Sequence, residues 1–306
     1  MRSSFVYCVV VTAVYCVVVT AEGAHLGSVI QAVLIGMLIV LAGTIPRNLL
    51  FAANLRFYPG LPWAVPATAI YLWFFWRYLQ GFGSPDNTSA QRHSSLRANP
   101  IPASLWAWSM LAGGLGIVAL VFALRVVNRL IVLPEQRLPA FTGVPQITVL
   151  LLLLFAAPVA GLVEESAFRG YMQQPIERRY GLFVAILITG TMFAVAHLDF
   201  TLALWPYYIA VSAIYGTVAY LTNSILPAIV LHTCGNLYSN FDLWMHGKAE
   251  WQASSGAATL IWKTGIDRAF WYSIFALVFF AAAMVWAYFM LARNALSIQS
   301  NRSATT

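Results

Sequence analysis

The chain has 306 residues, of which 60% are hydrophobic and 9% charged, with a mean hydropathy of +0.75. That composition excludes a disordered or ordinary globular class and indicates a multispanning membrane protein, because several apolar runs are long enough to cross a bilayer. The net charge of +7 does not point to nucleic acid, since the Lys and Arg residues stand singly at the ends of apolar runs, where membrane-flanking charges belong.

Residues 1–21 open with Arg2 and then carry the octapeptide Val-Tyr-Cys-Val-Val-Val-Thr-Ala twice, at 6–13 and 14–21. A charged start, an apolar core and the small Ala21 fit either a cleaved signal peptide or a first transmembrane helix. The repeat is too short to be architectural. Further apolar segments follow at about 27–45, 62–79, 104–124, 145–163, 182–198, 204–222, 225–243 and 268–292. The fold class expected is therefore all-α, with about eight or nine transmembrane helices. Continuous apolar runs, unlike alternating ones, exclude an outer-membrane barrel. Polar stretches at 81–103 and 246–263 divide the chain into N-terminal helices over 1–143, a central portion over 144–245, and a loop, last helix and tail over 246–306. The three cysteines, Cys8, Cys16 and Cys234, offer no disulfide framework or metal knuckle. Trp63, Trp73, Trp76, Trp106, Trp108 and Trp205 lie near helix ends, as interfacial anchors do.

Three polar clusters interrupt the apolar segments of the second half: Glu164, Glu165 and Arg169; Phe193 and His197; His232 and Asn236. Ionisable residues inside a membrane are costly and mark function or pairing. Residues four apart on a helix share a face, so Glu165 and Arg169 are expected to pair, and His232 and Asn236 project together. Glu164, turned about 100° from Glu165, is the freer carboxylate and suits general acid–base work. Glu164 and His197 are equally far in sequence from Tyr180-Gly181. If that polar stretch is the turn of a hairpin, the two side chains lie at similar depth. His232 and Asn236 follow the break at Asn223 and reach the same zone. Such a centre could deprotonate water at the glutamate, orient it or bind a divalent metal through imidazole, and support an oxyanion with the asparagine amide. It would need a water-filled cavity.

Glu164-Glu165-x-x-x-Arg169, Phe193-x-x-x-His197 and His232-x-x-x-Asn236, in that order, resemble the three motifs of the CPBP family. These are the CAAX-protease and bacteriocin-processing intramembrane proteases, including the type II CAAX prenyl endopeptidase. The resemblance covers about residues 145–240. It implies an all-helical fold with the active site in an intramembrane cavity and cleavage of a membrane-associated or lipidated protein or peptide. Glu164 and His197 would activate water, while His232 and Asn236 would hold the oxyanion or take part in metal binding. Glu165, Arg169 and Phe193 would support them. The resemblance leaves open whether a divalent metal such as zinc, held by His197 and His232, or a metal-free glutamate does the chemistry. The expected setting is the cytoplasmic membrane of a prokaryote, with the bilayer and a membrane-associated substrate as partners and no nucleic acid. Two rivals stand beside it. A proton-coupled transporter would use Glu164 and the histidines as a relay, and an inactive relative would confer immunity to a peptide toxin.

Overall fold

The structure is a computed structural model describing residues 28–133, 141–197, 202–247 and 260–303, and every regular element among them is helical. In lipid each backbone N–H and C=O must be satisfied within its own segment, so long apolar runs take this form. The helices are α1 (Ser28–Phe57), α2 (Ala64–Leu79), α3 (Ser89–Leu96), α4 (Ala103–Leu130) and α5 (Gln146–Glu165). A π-helical segment, Ser166–Met172, leads directly into α6 (Gln173–Ala196). Then come α7 (Trp205–Thr222), α8 (Leu226–His246), a single turn at Ile261–Thr264, and α9 (Arg268–Ser303).

Among the described residues, five helices are long and apolar enough to cross a membrane: Val29–Phe57, Ala103–Leu130, Gln146–Ala196, Leu202–Thr222 and Arg268–Ile298. The expected count of eight or nine is not reached, for three physical reasons. The segment expected at 62–79 is a 16-residue helix, α2, about 24 Å long and short of a bilayer core. The segment expected at 225–243 is α8, whose His232, Asn236, Asn240 and Asp242 make it too polar. The segments expected at 145–163 and 182–198 belong to one helical run that turns at Gly181, where φ is 81°. The first expected crossing, within 1–21, lies outside the described residues.

The turn at Gly181 brings the two limbs of that run together: Phe168 and Phe193, equally far in sequence from Tyr180-Gly181, meet edge to face at 5.3 Å. Close approach elsewhere depends on missing side chains, as is usual where lipid removes the hydrophobic drive between helices. A Cβ at Gly43 of α1 would lie 2.3 Å from Val163 of α5. One at Gly161 of α5 would lie 2.3 Å from Thr233 Oγ1 and 2.9 Å from the Ile229 carbonyl of α8. α5 thus lies between α1 and α8. Asn240 extends the second contact by donating to the Leu153 carbonyl at 2.7 Å. On the other side α9 packs along α4, with Trp108 against Trp286 and Phe122 stacked on Phe280.

The polar stretch after α2 is organised around a buried guanidinium. Arg92 donates to the carbonyls of Tyr78, Gly81, Gly83 and Pro85 and to Thr88 Oγ1. This wrapped loop sits against the π segment: Tyr171 donates to the Arg92 carbonyl at 3.0 Å, and Gly170 lies directly beneath the carbonyls of Ser95 and Leu96. Arg97 then ties the loop to the α7–α8 connection, donating from Nε to Asn223 Oδ1 and accepting from the Ile225 N–H.

Candidate active site

Glu164 and Glu165 are the last two residues of α5, where the α-helix widens into the π segment. Such wide turns are uncommon and often lie at functional sites. The two carboxylates have different surroundings. Glu165 is fully buried, and its Oε1 accepts from Arg169 Nη1 at 3.0 Å and from His232 Nδ1 at 2.7 Å. The expected Glu165–Arg169 pair is therefore present, with His232 of α8 as a third member. Glu164 is partly exposed, its side chain 16% accessible, and its Oε2 lies 3.7 Å from His232 Nε2 without a hydrogen-bond partner.

A carboxylate can only accept, so the proton on His232 Nδ1 is donated to Glu165, and Nε2 is the nitrogen turned to Glu164. The ring is further fixed by stacking on Tyr215, centroids 5.1 Å apart and planes within 20°. Tyr215 and Phe193 also lie over the Arg169 guanidinium, at 5.4 and 5.1 Å. Burying an ion pair costs desolvation of both groups. Here the aromatic faces solvate the cation and the imidazole N–H solvates the anion. These contacts, and not the pair alone, make burial tolerable. Tyr208 and Tyr215 carry much of this packing and were not singled out from the sequence. Their seven-residue spacing puts them on one face of α7, which is the pattern that could have marked them.

His197 ends α6 and is exposed. Its Nδ1 donates to the Phe193 carbonyl at 2.8 Å, which leaves Nε2 available. Its ring packs on Phe193 and Tyr208, both 4.6 Å away between centroids. Phe193 in turn lies 6.1 Å from the His232 ring. His197 is therefore joined to His232 through an aromatic contact, and among the described residues no hydrogen bond or ion pair links it to Glu164. Asn236 lies one turn beyond His232 on the same face of α8, half-buried. The structure thus places Glu164, Glu165, Arg169, Phe193 and His232 in one contiguous cluster, with His197 at its edge.

As for a metal, both histidines keep Nε2 free, as metal-bound imidazoles do. Yet among the described residues no three His, Cys, Asp or Glu side chains gather into a group that could hold an ion. This donor set does not fit a metal, and no chemical step is routed through one.

No curated protein and no solved structure matches the chain. A family model described as type II CAAX prenyl endopeptidase Rce1-like matches residues 146–238, from the start of α5 to the middle of α8. All six residues of the cluster and its edge, and Asn236 as well, lie within that stretch. The match supports the CAAX-protease resemblance of the three motifs over residues 146–238, about a third of the chain.

Proposed function

We propose that the protein is an intramembrane endopeptidase that hydrolyses a peptide bond of a lipidated or membrane-associated protein or peptide, with Glu164 as the general base. The observation that carries this reading is the division of labour between adjacent carboxylates. Glu165 Oε1 is held by Arg169 and His232, while Glu164 beside it has a partly accessible side chain whose Oε2 is buried without a hydrogen-bond partner. In this scheme Glu164 takes a proton from water, the resulting hydroxide attacks the scissile carbonyl carbon, and a tetrahedral intermediate forms. Glu164 then returns the proton to the leaving nitrogen as the C–N bond breaks. His232, held by Glu165 and able to donate from Nε2 when protonated there, faces the developing oxyanion together with the Asn236 amide. His197 orients the water through its free Nε2. Arg169, Glu165 and Phe193 fix the ring of His232 and do not touch the substrate.

The test is cleavage of a farnesylated peptide with a C-terminal CAAX sequence by purified protein in detergent. Wild type is expected to release the C-terminal fragment. Glu164→Gln is expected to lose at least about a hundredfold in kcat while still folding, as shown by a cooperative thermal melt. Undiminished turnover by Glu164→Gln would refute the assignment of the base.

A further inference from the structure

One ionisable residue of the N-terminal half is left without a role by this scheme. Arg47 lies in the C-terminal half of α1, a helix long and apolar enough to cross a membrane, and is half-buried. Its guanidinium donates from Nε and Nη2 to the neighbouring side chain, Asn48 Oδ1, at 3.1 and 2.7 Å. Such a residue inside a membrane span calls for a partner.

The packing of α1 supplies one. Gly36 of α1 lies over Ala167 and Met172, and Gly43 lies over Val163, so α1 runs antiparallel to α5 and the π segment. Arg47 follows Gly43 by one turn on the same face. Helical side chains tilt toward their own N-terminus, which carries the guanidinium back toward the level of Val163 and Glu164. There its positive charge stands within electrostatic reach of the Glu164 carboxylate. Glu164 Oε2 has no hydrogen-bond donor of its own, so this attraction acts across a gap and not through a closed ion pair.

We infer that Arg47 is the positioning residue of Glu164: its fixed positive charge, supplied from outside the family-matched stretch, orients the free carboxylate toward the water position. The inference rests on the reading of Glu164 as the base. It means that the active site is completed by the N-terminal helices, for which the sequence offered no function.

Two measurements test it. The first needs no substrate: melting temperatures in detergent for wild type, Arg47→Gln, Glu164→Gln and the double variant. Arg47→Gln is expected to lower the midpoint in the wild-type background and to have a clearly smaller effect once Glu164 is Gln. Equal shifts in both backgrounds would overturn the pairing. If Arg47→Gln is not recovered folded, the same cycle is run with Arg47→Leu, which keeps the apolar stem. The second is kinetic. Arg47→Gln is expected to lower kcat roughly tenfold or more while KM stays within about twofold, and Arg47→Lys is expected to recover most of the loss. A loss confined to KM would assign Arg47 to substrate contact and overturn the inference, as would a lysine variant no better than glutamine. A wild type that cleaves nothing while the thermal coupling persists would count against the protease reading and not against the pair.

Discussion

Gly161 is where the geometry of the site can be disturbed without touching any residue that acts in it. Its missing side chain lets α5 approach α8 so closely that an alanine methyl would stand 2.3 Å from Thr233 Oγ1 and 2.9 Å from the Ile229 carbonyl. The threonine hydroxyl can rotate away. The carbonyl is part of the helix and cannot, so α8 must retreat by roughly half an ångström to restore contact. Overpacking of this kind costs about 1–3 kcal/mol. His232 is the residue before Thr233, so the retreat carries its Nε2 away from Glu164, already 3.7 Å distant. Displacements on this scale reduce catalysis by up to about a hundredfold. Gly161→Ala is therefore expected to lower both the melting temperature and kcat, the latter by between about tenfold and a hundredfold, with Glu164 and His232 chemically intact. Adding Thr233→Ala removes the hydroxyl but not the Ile229 carbonyl, so only part of the stability should return. The assay is turnover of the lipidated peptide alongside a thermal melt in the same detergent. Wild-type values for Gly161→Ala in both would show that the α5–α8 contact does not set the distance between Glu164 and His232.

Arg169→Lys keeps a positive charge for Glu165 but gives up the flat guanidinium that lies under Phe193 and Tyr215. A loss of about 2 kcal/mol is expected, read as a lower denaturation midpoint, and Arg169→Met should cost more because Glu165 then keeps only His232 as a partner. At the far end of the molecule, Asp267 accepts from the Phe270 N–H and pairs with Arg129 at the start of α9. These contacts, the backbone N–H foremost, hold its carboxyl below the ordinary value of 3.8. A carboxyl with a depressed folded value stabilises above its unfolded value and loses that contribution as pH falls through the folded one. The difference in melting temperature between wild type and Asp267→Asn should thus be constant near neutrality and shrink below about pH 4.

Local features of the site are legible in the sequence because they depend on spacing along one helix. The four-residue interval from Glu165 to Arg169 predicts the pair that forms, and the polar Tyr180-Gly181 stretch predicts the turn. What joins the motifs is not local. The hydrogen bond from His232 to Glu165 spans 67 positions, and nothing in either motif says which of two adjacent glutamates the histidine will choose. The π segment that separates their surroundings has no sequence signature to read. The difference in the number of crossings among the described residues has another origin: α2 is apolar but only 16 residues long, and α8 carries His232, Asn236, Asn240 and Asp242 among its apolar residues.

The glycine contacts of α1 also bear on what kind of unit the family-matched stretch is. Val163, Ala167 and Met172 have no accessible surface, and Gly36 and Gly43 are among the residues that cover them. Residues 146–238, the stretch that the family model matches, therefore do not bury their own core unaided. Cut out on their own, they would present a furrow beside Glu164 shaped for a helix that is bare on one side. A chain that exchanged its N-terminal helices would need to bring that bare face with it.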